Sequence, residues 1–171
     1  MKNLFSLLIA VLLMSTTASL AQEFPKLDVS PMDKASFNSD AGSVAIIYSR
    51  PQLKGRSLDK LAPKDKIWRT GANEATTISF SNDATIAGKS IKAGTYSLYS
   101  IPGDHHWTIV LNSNANQWGA YNYDESLDVL RASVVASTEK EAIEAFSMAF
   151  KKDGTLVMAW GTTRVSVPIS F

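Results

Sequence analysis

Apolar and polar side chains alternate with a period of two along most of the chain that follows Pro31. Such alternation is typical of strands that pack one face on a core and expose the other face. The pattern predicts strands at 44–49, 76–80, 95–101, 107–111, 129–135, 146–150, 156–160 and 165–171. Eight to ten short strands predict an all-β, mainly antiparallel fold. It is either a β-sandwich or a barrel-like jelly-roll variant with at most one or two short helices.

Turn residues and one helical pattern interrupt this alternation. Pro102-Gly103-Asp104 predicts a hairpin turn, and Asp153-Gly154 predicts a type I′ hairpin turn. Gly161-Thr162-Thr163 predicts a further turn, so that residues 146–171 become a three-strand meander. Helix-forming residues and a capping box of Thr138 with Glu141 predict a helical turn over 138–142. Another helical turn is expected at 57–61, inside the long connection that follows Pro51.

The first 21 residues have the pattern of a secretory signal peptide. Lys2 precedes an apolar run over 4–14, which at about 11 residues is shorter than the roughly 20 of a membrane-spanning helix. Ser19 and Ala21 are the small residues that a signal peptidase reads, which predicts cleavage after Ala21. We therefore expect a periplasmic or secreted protein with a polar tether at 22–30 and a single β domain at 31–171.

Composition limits the partners of the exported chain. The sequence has no Cys, so neither a disulfide nor a lipid-modified cysteine stabilises or anchors it. A chain of about 150 residues buries enough surface for a self-sufficient core. Seventeen Lys and Arg face sixteen Asp and Glu, and loss of Lys2 with the signal peptide balances the two. Neutrality argues against a nucleic-acid partner, and no integral membrane segment is expected after cleavage.

The stretch 67–80 holds the densest group of hydrogen-bonding and aromatic residues. Trp68, Arg69, Asn73 and Glu74 surround Gly71, and a clean alternating strand follows. If that strand faces the core, Glu74 lies near the mouth of the core, where a carboxylate needs a partner. One interpretation is an Arg69–Glu74 ion pair that holds the turn, with the Asn73 side chain bonded to its own backbone. The other is a pocket in which Arg69 or Asn73 orients a polar ligand and Glu74 accepts a hydrogen bond or acts as a general base.

A second candidate follows the polar loop 112–116. Tyr121 and Tyr123 are expected on one strand face, where they and Trp118 could form a flat aromatic platform. Such rings suit a sugar or an aromatic ligand. The alternative is a satellite cluster that closes one end of the sandwich.

Metal and nucleophile chemistry have little support in the sequence. His105 and His106 are the only histidines, and as strand neighbours they point to opposite faces, so no metal site is expected. No Gly-x-Ser-x-Gly motif is present. We predict no cofactor. A glycosidase would need Glu74 and a second carboxylate such as Asp124 or Asp128 to come together.

Several long motifs occur in order along nearly the whole mature chain. They are Tyr48-Ser49-Arg50-Pro51, Lys54-Gly55-Arg56, the stretch 67–76, Ala93-Gly94-Thr95-Tyr96-Ser97-Leu98, Ile101-Pro102-Gly103, Asn116-Gln117-Trp118-Gly119-Ala120-Tyr121, Asp128-Val129-Leu130-Arg131 and Arg164-Val165-Ser166-Val167-Pro168-Ile169. With these motifs the chain resembles the domain of unknown function 2911 family, exported bacterial proteins common in Bacteroidetes. The resemblance implies export and a β-rich domain. It brings no reaction, cofactor or catalytic residue.

Together these observations favour an exported soluble β-sandwich protein that binds a small polar or carbohydrate-like ligand in the cell envelope and is not an enzyme. The predicted ligand-binding residues are Trp68, Arg69, Asn73, Glu74, Trp118, Tyr121 and Tyr123. Two alternatives stay open. One is an envelope or polysaccharide hydrolase that uses Glu74 with Arg69, and the other is a structural or protein-interaction module. The sequence leaves the oligomeric state undetermined.

Overall fold

The computed structural model describes residues 24–171, so the signal peptide predicted for residues 1–21 lies outside the described residues. Residues 24–31 contain neither helix nor strand. The described part of the chain then forms β1 (Met32–Ser39), β2 (Gly42–Ser49), α1 (Leu58–Leu61), β3 (Thr76–Phe80), β4 (Ala84–Ile86), β5 (Lys89–Ile91), β6 (Gly94–Ile101), β7 (His106–Asn112), a 3-10 helix (Glu125–Leu127), β8 (Asp128–Phe150), β9 (Leu156–Val167) and β10 (Ile169–Ser170).

Two antiparallel sheets make up the fold, which confirms the all-β prediction. The large sheet has the order β1-β2-β3-β6-β7-β8-β9, and the small sheet has the order β10-β4-β5. The large sheet curls, so that the chain just after β2 reaches the C-terminal half of β8 and hydrogen-bonds to it. Phe146 N donates to Pro51 O at 2.9 Å, and Leu53 N donates to Glu144 O at 3.1 Å. This curling matches the barrel-like variant that the sequence allowed.

The core lies inside the curled sheet and is covered on one side by the small sheet, which contributes Ile86, Ile91 and Ile169. At its centre the Trp68 ring stacks on Trp160 with the ring centroids 5.6 Å apart. Period-two alternation places these apolar side chains on one face, so a one-residue slip of register would expose them all.

A smaller apolar cluster lies on the outer face of the large sheet. Tyr99 of β6 and Val110 of β7 are buried there with Ala75. The chain between β7 and β8, residues 113–127, packs Ala120 and Tyr123 over this cluster. We call residues 113–127 the covering loop.

Three local predictions near the C-terminus are wrong. Residues 138–142 are strand, within a β8 that runs unbroken over 23 residues. Residues 138–142 are exposed, so a helical turn would have no apolar face to bury, and such a short helix is unstable alone. Residues 161–163 also stay within a single strand, β9, where Gly161 marks a register shift opposite Ile143. At Asp153-Gly154 only Gly154 has a positive φ (85°), whereas a type I′ turn requires it at both residues.

Candidate functional site

The candidate site is built on the loop of residues 69–75, which we call the site loop. Trp68 pairs with Ser100 of β6 through two backbone hydrogen bonds of 2.8 and 2.9 Å. Thr76 N donates to Arg69 O at 3.1 Å, and Thr76 Oγ1 donates to Thr70 O at 2.7 Å. Hydrogen bonds therefore fix both ends of the site loop to the sheet, as a binding loop on a rigid scaffold requires.

The backbone of the site loop is strained. Thr70 has a φ of 54° and Asn73 a φ of 56°, and the left-handed region is especially unfavourable for a β-branched residue such as Thr. A β-branched residue in this region costs about 1–3 kcal/mol and persists where its surroundings hold it, whereas asparagine adopts the region more readily. The buried Thr70 hydroxyl donates to Ser100 Oγ at 3.0 Å. A Cβ on Gly71 would lie 3.0 Å from Ser49 O, so the loop also packs closely against the end of β2.

The two candidate segments of the sequence meet at this loop. Glu74 and Trp118 form an antiparallel bridge, and Ala75 N donates to Gln117 O at 2.8 Å. Side chains opposite each other in such a pair have their Cβ atoms about 4.5–5.5 Å apart. Glu74 and Trp118 are therefore neighbouring residues, and both are exposed.

The aromatic residues of the covering loop divide into two roles. Trp118 is 61% exposed and Tyr121 is 79% exposed. A Cβ on Gly119 would lie 2.9 Å from Tyr121 Cε2 and 3.5 Å from Arg69 Nη1, so the Tyr121 ring and the Arg69 guanidinium both flank this glycine. Tyr123 instead packs edge-on against Tyr99 with the ring centroids 5.1 Å apart. The expectation that Tyr121 and Tyr123 share a strand face is wrong, because residues 119–122 form a turn.

The expected Arg69–Glu74 ion pair is absent among residues 24–171. Arg69 Nε is buried and has no hydrogen-bond partner in the described chain. The Asn73 side chain does not bond its own backbone either, since its Nδ2 donates to Asp28 Oδ2 at 3.1 Å. Asp28 belongs to the predicted tether, so that segment is attached beside the site loop.

A cleft of about 290 Å³ opens beside Glu74 on the outer face of the large sheet. Its lining has an apolar part and several hydrogen-bonding groups, namely Met32, Ile47, Tyr48, Ser49, Glu74, Ala75, Thr77 and Asn116. Of the described residues that line it, Glu74 alone is acidic. Sequence reasoning missed Ser49, Thr77 and Asn116. The position of Asn116 in a polar loop before Trp118 was the one available signal, and its φ of 61° is typical of asparagine in a tight turn.

Trp68 lies apart from this surface. It is 6% exposed and packs among Trp107, Phe146 and Trp160 in the core. The structure thus pairs Glu74 with Trp118 and brings Arg69 and Tyr121 to Gly119, and of the predicted site residues Glu74 alone lines the cleft. Trp68 and Tyr123 are packing residues.

Tyr123 is held by a polar network at the other end of the covering loop. Its hydroxyl donates to Asp128 Oδ2 at 2.6 Å, and Asn112 Nδ2 donates to Asp128 Oδ1 at 2.8 Å. Arg131 Nε lies 3.1 Å from Asp128 Oδ2. Partial burial, followed by the hydrogen bond to Asp128 and its negative charge, raises the pKa of Tyr123 above its ordinary value. This network anchors the loop that carries Trp118 and Tyr121.

The described residues also limit other chemistries. No group of three or more His, Asp or Glu within residues 24–171 could hold a metal ion. His105 and His106 are exposed, at the turn before β7 and at its first residue. Over the same residues, no helix is long and apolar enough to cross a membrane.

Fold and site together define an all-β protein with a cleft on the outer face of a curled antiparallel sheet, lined by residues of β1, β2, β3 and two loops. The family described as protein of unknown function (DUF2911) matches residues 30–169, and the chain belongs to that family. The resemblance seen in the sequence motifs is thereby confirmed. No curated protein and no solved structure matches the chain.

Proposed function

We propose that this protein is exported to the periplasm or secreted, and binds a small polar or carbohydrate-like ligand where the site loop meets the covering loop. The observation that carries the proposal is the bridge between Glu74 and Trp118. This bridge joins two exposed residues, and one of them, Glu74, lines the cleft. Sites for sugars combine such aromatic faces with a few fixed hydrogen-bonding groups.

Each part of this surface has a role in the proposed complex. The Trp118 and Tyr121 rings, both largely exposed, offer faces on which a pyranose ring stacks. Glu74 accepts hydrogen bonds from sugar hydroxyls, and Ser49, Thr77 and Asn116 line the same cleft. At about 290 Å³ the cleft is at the lower end of the range for small-molecule sites, which suits one sugar ring or the end of a chain.

The number of acidic residues that line the cleft favours binding over hydrolysis. A glycosidase needs two carboxyl groups about 5–9.5 Å apart, one of them to donate a proton. Glu74 is the single acid among the described lining residues. The hydrolase alternative therefore lacks its second carboxylate within residues 24–171.

Isothermal titration of the purified protein with a panel of neutral and acidic oligosaccharides tests the proposal. We expect at least one to bind and to raise the melting temperature. Glu74→Gln and Trp118→Ala should each weaken that binding about 10-fold or more, with the melting temperature nearly unchanged because both side chains are exposed. Glu139→Gln, an exposed position on β8, is the matched control and should leave binding unaffected.

Two outcomes would contradict the proposal. If no oligosaccharide of the panel binds, or if Trp118→Ala binds as well as the wild type, the structural or protein-interaction alternative is preferred. If the wild type cleaves a bound oligosaccharide and Glu74→Gln does not, as mass spectrometry would reveal, the hydrolase alternative replaces simple binding. Export is checked separately by N-terminal sequencing of the mature protein, which is expected to begin at Gln22.

A further inference from the structure

The charge of the Arg69 guanidinium has no partner among the described residues. No carboxylate within residues 24–171 forms an ion pair with it, and none of its nitrogen atoms donates a hydrogen bond there. Its Nε is moreover shielded from water. A buried donor without a partner is costly and rare in folded proteins, and it calls for a specific explanation.

A ligand can contact this guanidinium only through its Nη atoms, because Nε is shielded from the surface. Gly119, with a φ of 67°, carries no side chain, and Arg69 Nη1 and the Tyr121 ring occupy the space beside it. Tyr121 is almost fully exposed. A ligand that stacks on Tyr121 therefore lies within reach of a guanidinium whose planar fork matches the two oxygens of a carboxylate.

We propose that the ligand is an acidic saccharide, and that Arg69 binds its carboxylate while the sugar ring packs on Tyr121 and Trp118. This inference rests on the proposed function. It assigns Arg69 as the residue that distinguishes uronate-containing sugars from neutral ones.

The charges of the site also orient such a ligand. Glu74 lies at the far end of the site loop from Arg69, at the cleft, and it repels a second carboxylate. The acid group of the sugar therefore points toward Arg69 and its hydroxyl groups point toward Glu74. A neutral sugar gains from Glu74 and the rings but leaves Arg69 without a partner.

Titrations with oligogalacturonate, oligomannuronate and hyaluronan oligosaccharides, each beside its carboxyl-reduced neutral counterpart, test this inference. We expect at least one acidic oligosaccharide to bind about 10-fold or more tightly than its neutral counterpart. Arg69→Gln should remove that preference and leave the affinity for the neutral form unchanged. Arg69→Lys should restore only part of it, because an ammonium group cannot make the two-pronged contact.

Lys152→Gln is the control variant, because it removes the same charge from the exposed turn between β8 and β9 and should keep the preference. Equal affinity for acidic and neutral forms would overturn the role of Arg69 while leaving sugar binding in place. A preference that survives Arg69→Gln would overturn it as well. Absence of binding to every acidic and neutral sugar would overturn this inference together with the proposed function.

Discussion

Two arginines beside the covering loop, Arg69 near its middle and Arg131 just beyond its C-terminal end, differ in the partners of their charge. Arg131 and Arg69 both bury an Nε that donates no hydrogen bond within the described chain. Around Arg131, however, Asp128 lies 3.1 Å from Nε, Glu125 pairs with Nη1, and the Tyr123 hydroxyl accepts from Nη2 at 3.3 Å. Arg69 has the Tyr121 ring and the Gly119 backbone nearby but no carboxylate partner among residues 24–171. Arg131 is therefore held by two ion pairs, whereas the partner proposed for Arg69 is a ligand.

The largest expected effect is a difference in stability between variants that change the surroundings of Arg131 and a variant of Arg69. Asp128 has 7% of its side chain exposed, and Asp128→Ala leaves Tyr123 and Asn112 without their shared hydrogen-bond acceptor and Arg131 without one of its ion-pair partners. We expect a loss of about 2–4 kcal/mol in the free energy of unfolding. Arg69→Met, by contrast, breaks no ion pair and should stay within about 1 kcal/mol of the wild type. Denaturant titration of both variants measures the difference, and equal losses would show that Arg69 is also part of the structural framework.

A smaller effect is expected at Gly119, where the covering loop passes Arg69. Gly119→Ala forces a Cβ onto a backbone with a φ of 67° and to within 2.9 Å of the Tyr121 ring, so we expect a loss of about 1–2 kcal/mol and a displaced ring. Gly88→Ala is the matched control, since Gly88 has a φ of 81° and no atom within 4 Å of the added Cβ. It should cost less stability and leave binding at the site unchanged. If both variants weaken ligand binding equally, Gly119 has no special role there.

The smallest expected effect concerns the pH dependence of the anchored end. The pKa of Tyr123 is raised in the folded protein, so folding favours its protonated form. That contribution is complete at pH values below the ordinary tyrosine pKa of about 10 and is lost as the pH rises through the raised value. Thermal unfolding should therefore show stability falling above about pH 10, with a shallower fall in Tyr123→Phe. If the wild type and Tyr123→Phe lose stability equally as the pH rises, Tyr123 does not contribute to this pH dependence.

The sequence predicted most of the longer strands because period-two alternation reflects burial directly, but it indicated no strand at β1, β4 or β5. Val44, Ile46 and Tyr48 alternate with more exposed neighbours and are buried, as expected. The helix propensity of residues 138–142 misled the prediction, because propensity is a weak preference that is overridden here by the pairing of Thr138 and Ile143 with β9 on either side of residues 139–142. Gly161 likewise resembled a turn residue, yet it only adjusts the register within a continuous strand.

The sequence identified the residues of the candidate site better than their contacts. Glu74 and Trp118 each stood out by composition, but their bridge joins loop segments far apart in the sequence, and no local pattern specifies such a pairing. The same holds for Asp28, which takes the Asn73 side chain that local reasoning assigned to its own backbone. Arg69 and Glu74 looked like partners because they are close in sequence, whereas the site loop leaves them unpaired.

The four tryptophans divide unequally between the interior and the site. Trp68, Trp107 and Trp160 are 2–6% exposed and pack together, while Trp118 is 61% exposed beside Glu74. Indole emission shifts to longer wavelength in contact with water, so the red edge of the intrinsic fluorescence belongs mainly to Trp118. A water-soluble quencher such as acrylamide reaches that indole far more readily than the other three. The molecule thus carries an optical probe at its candidate site, and protection of that emission by a sugar reports occupancy without any label.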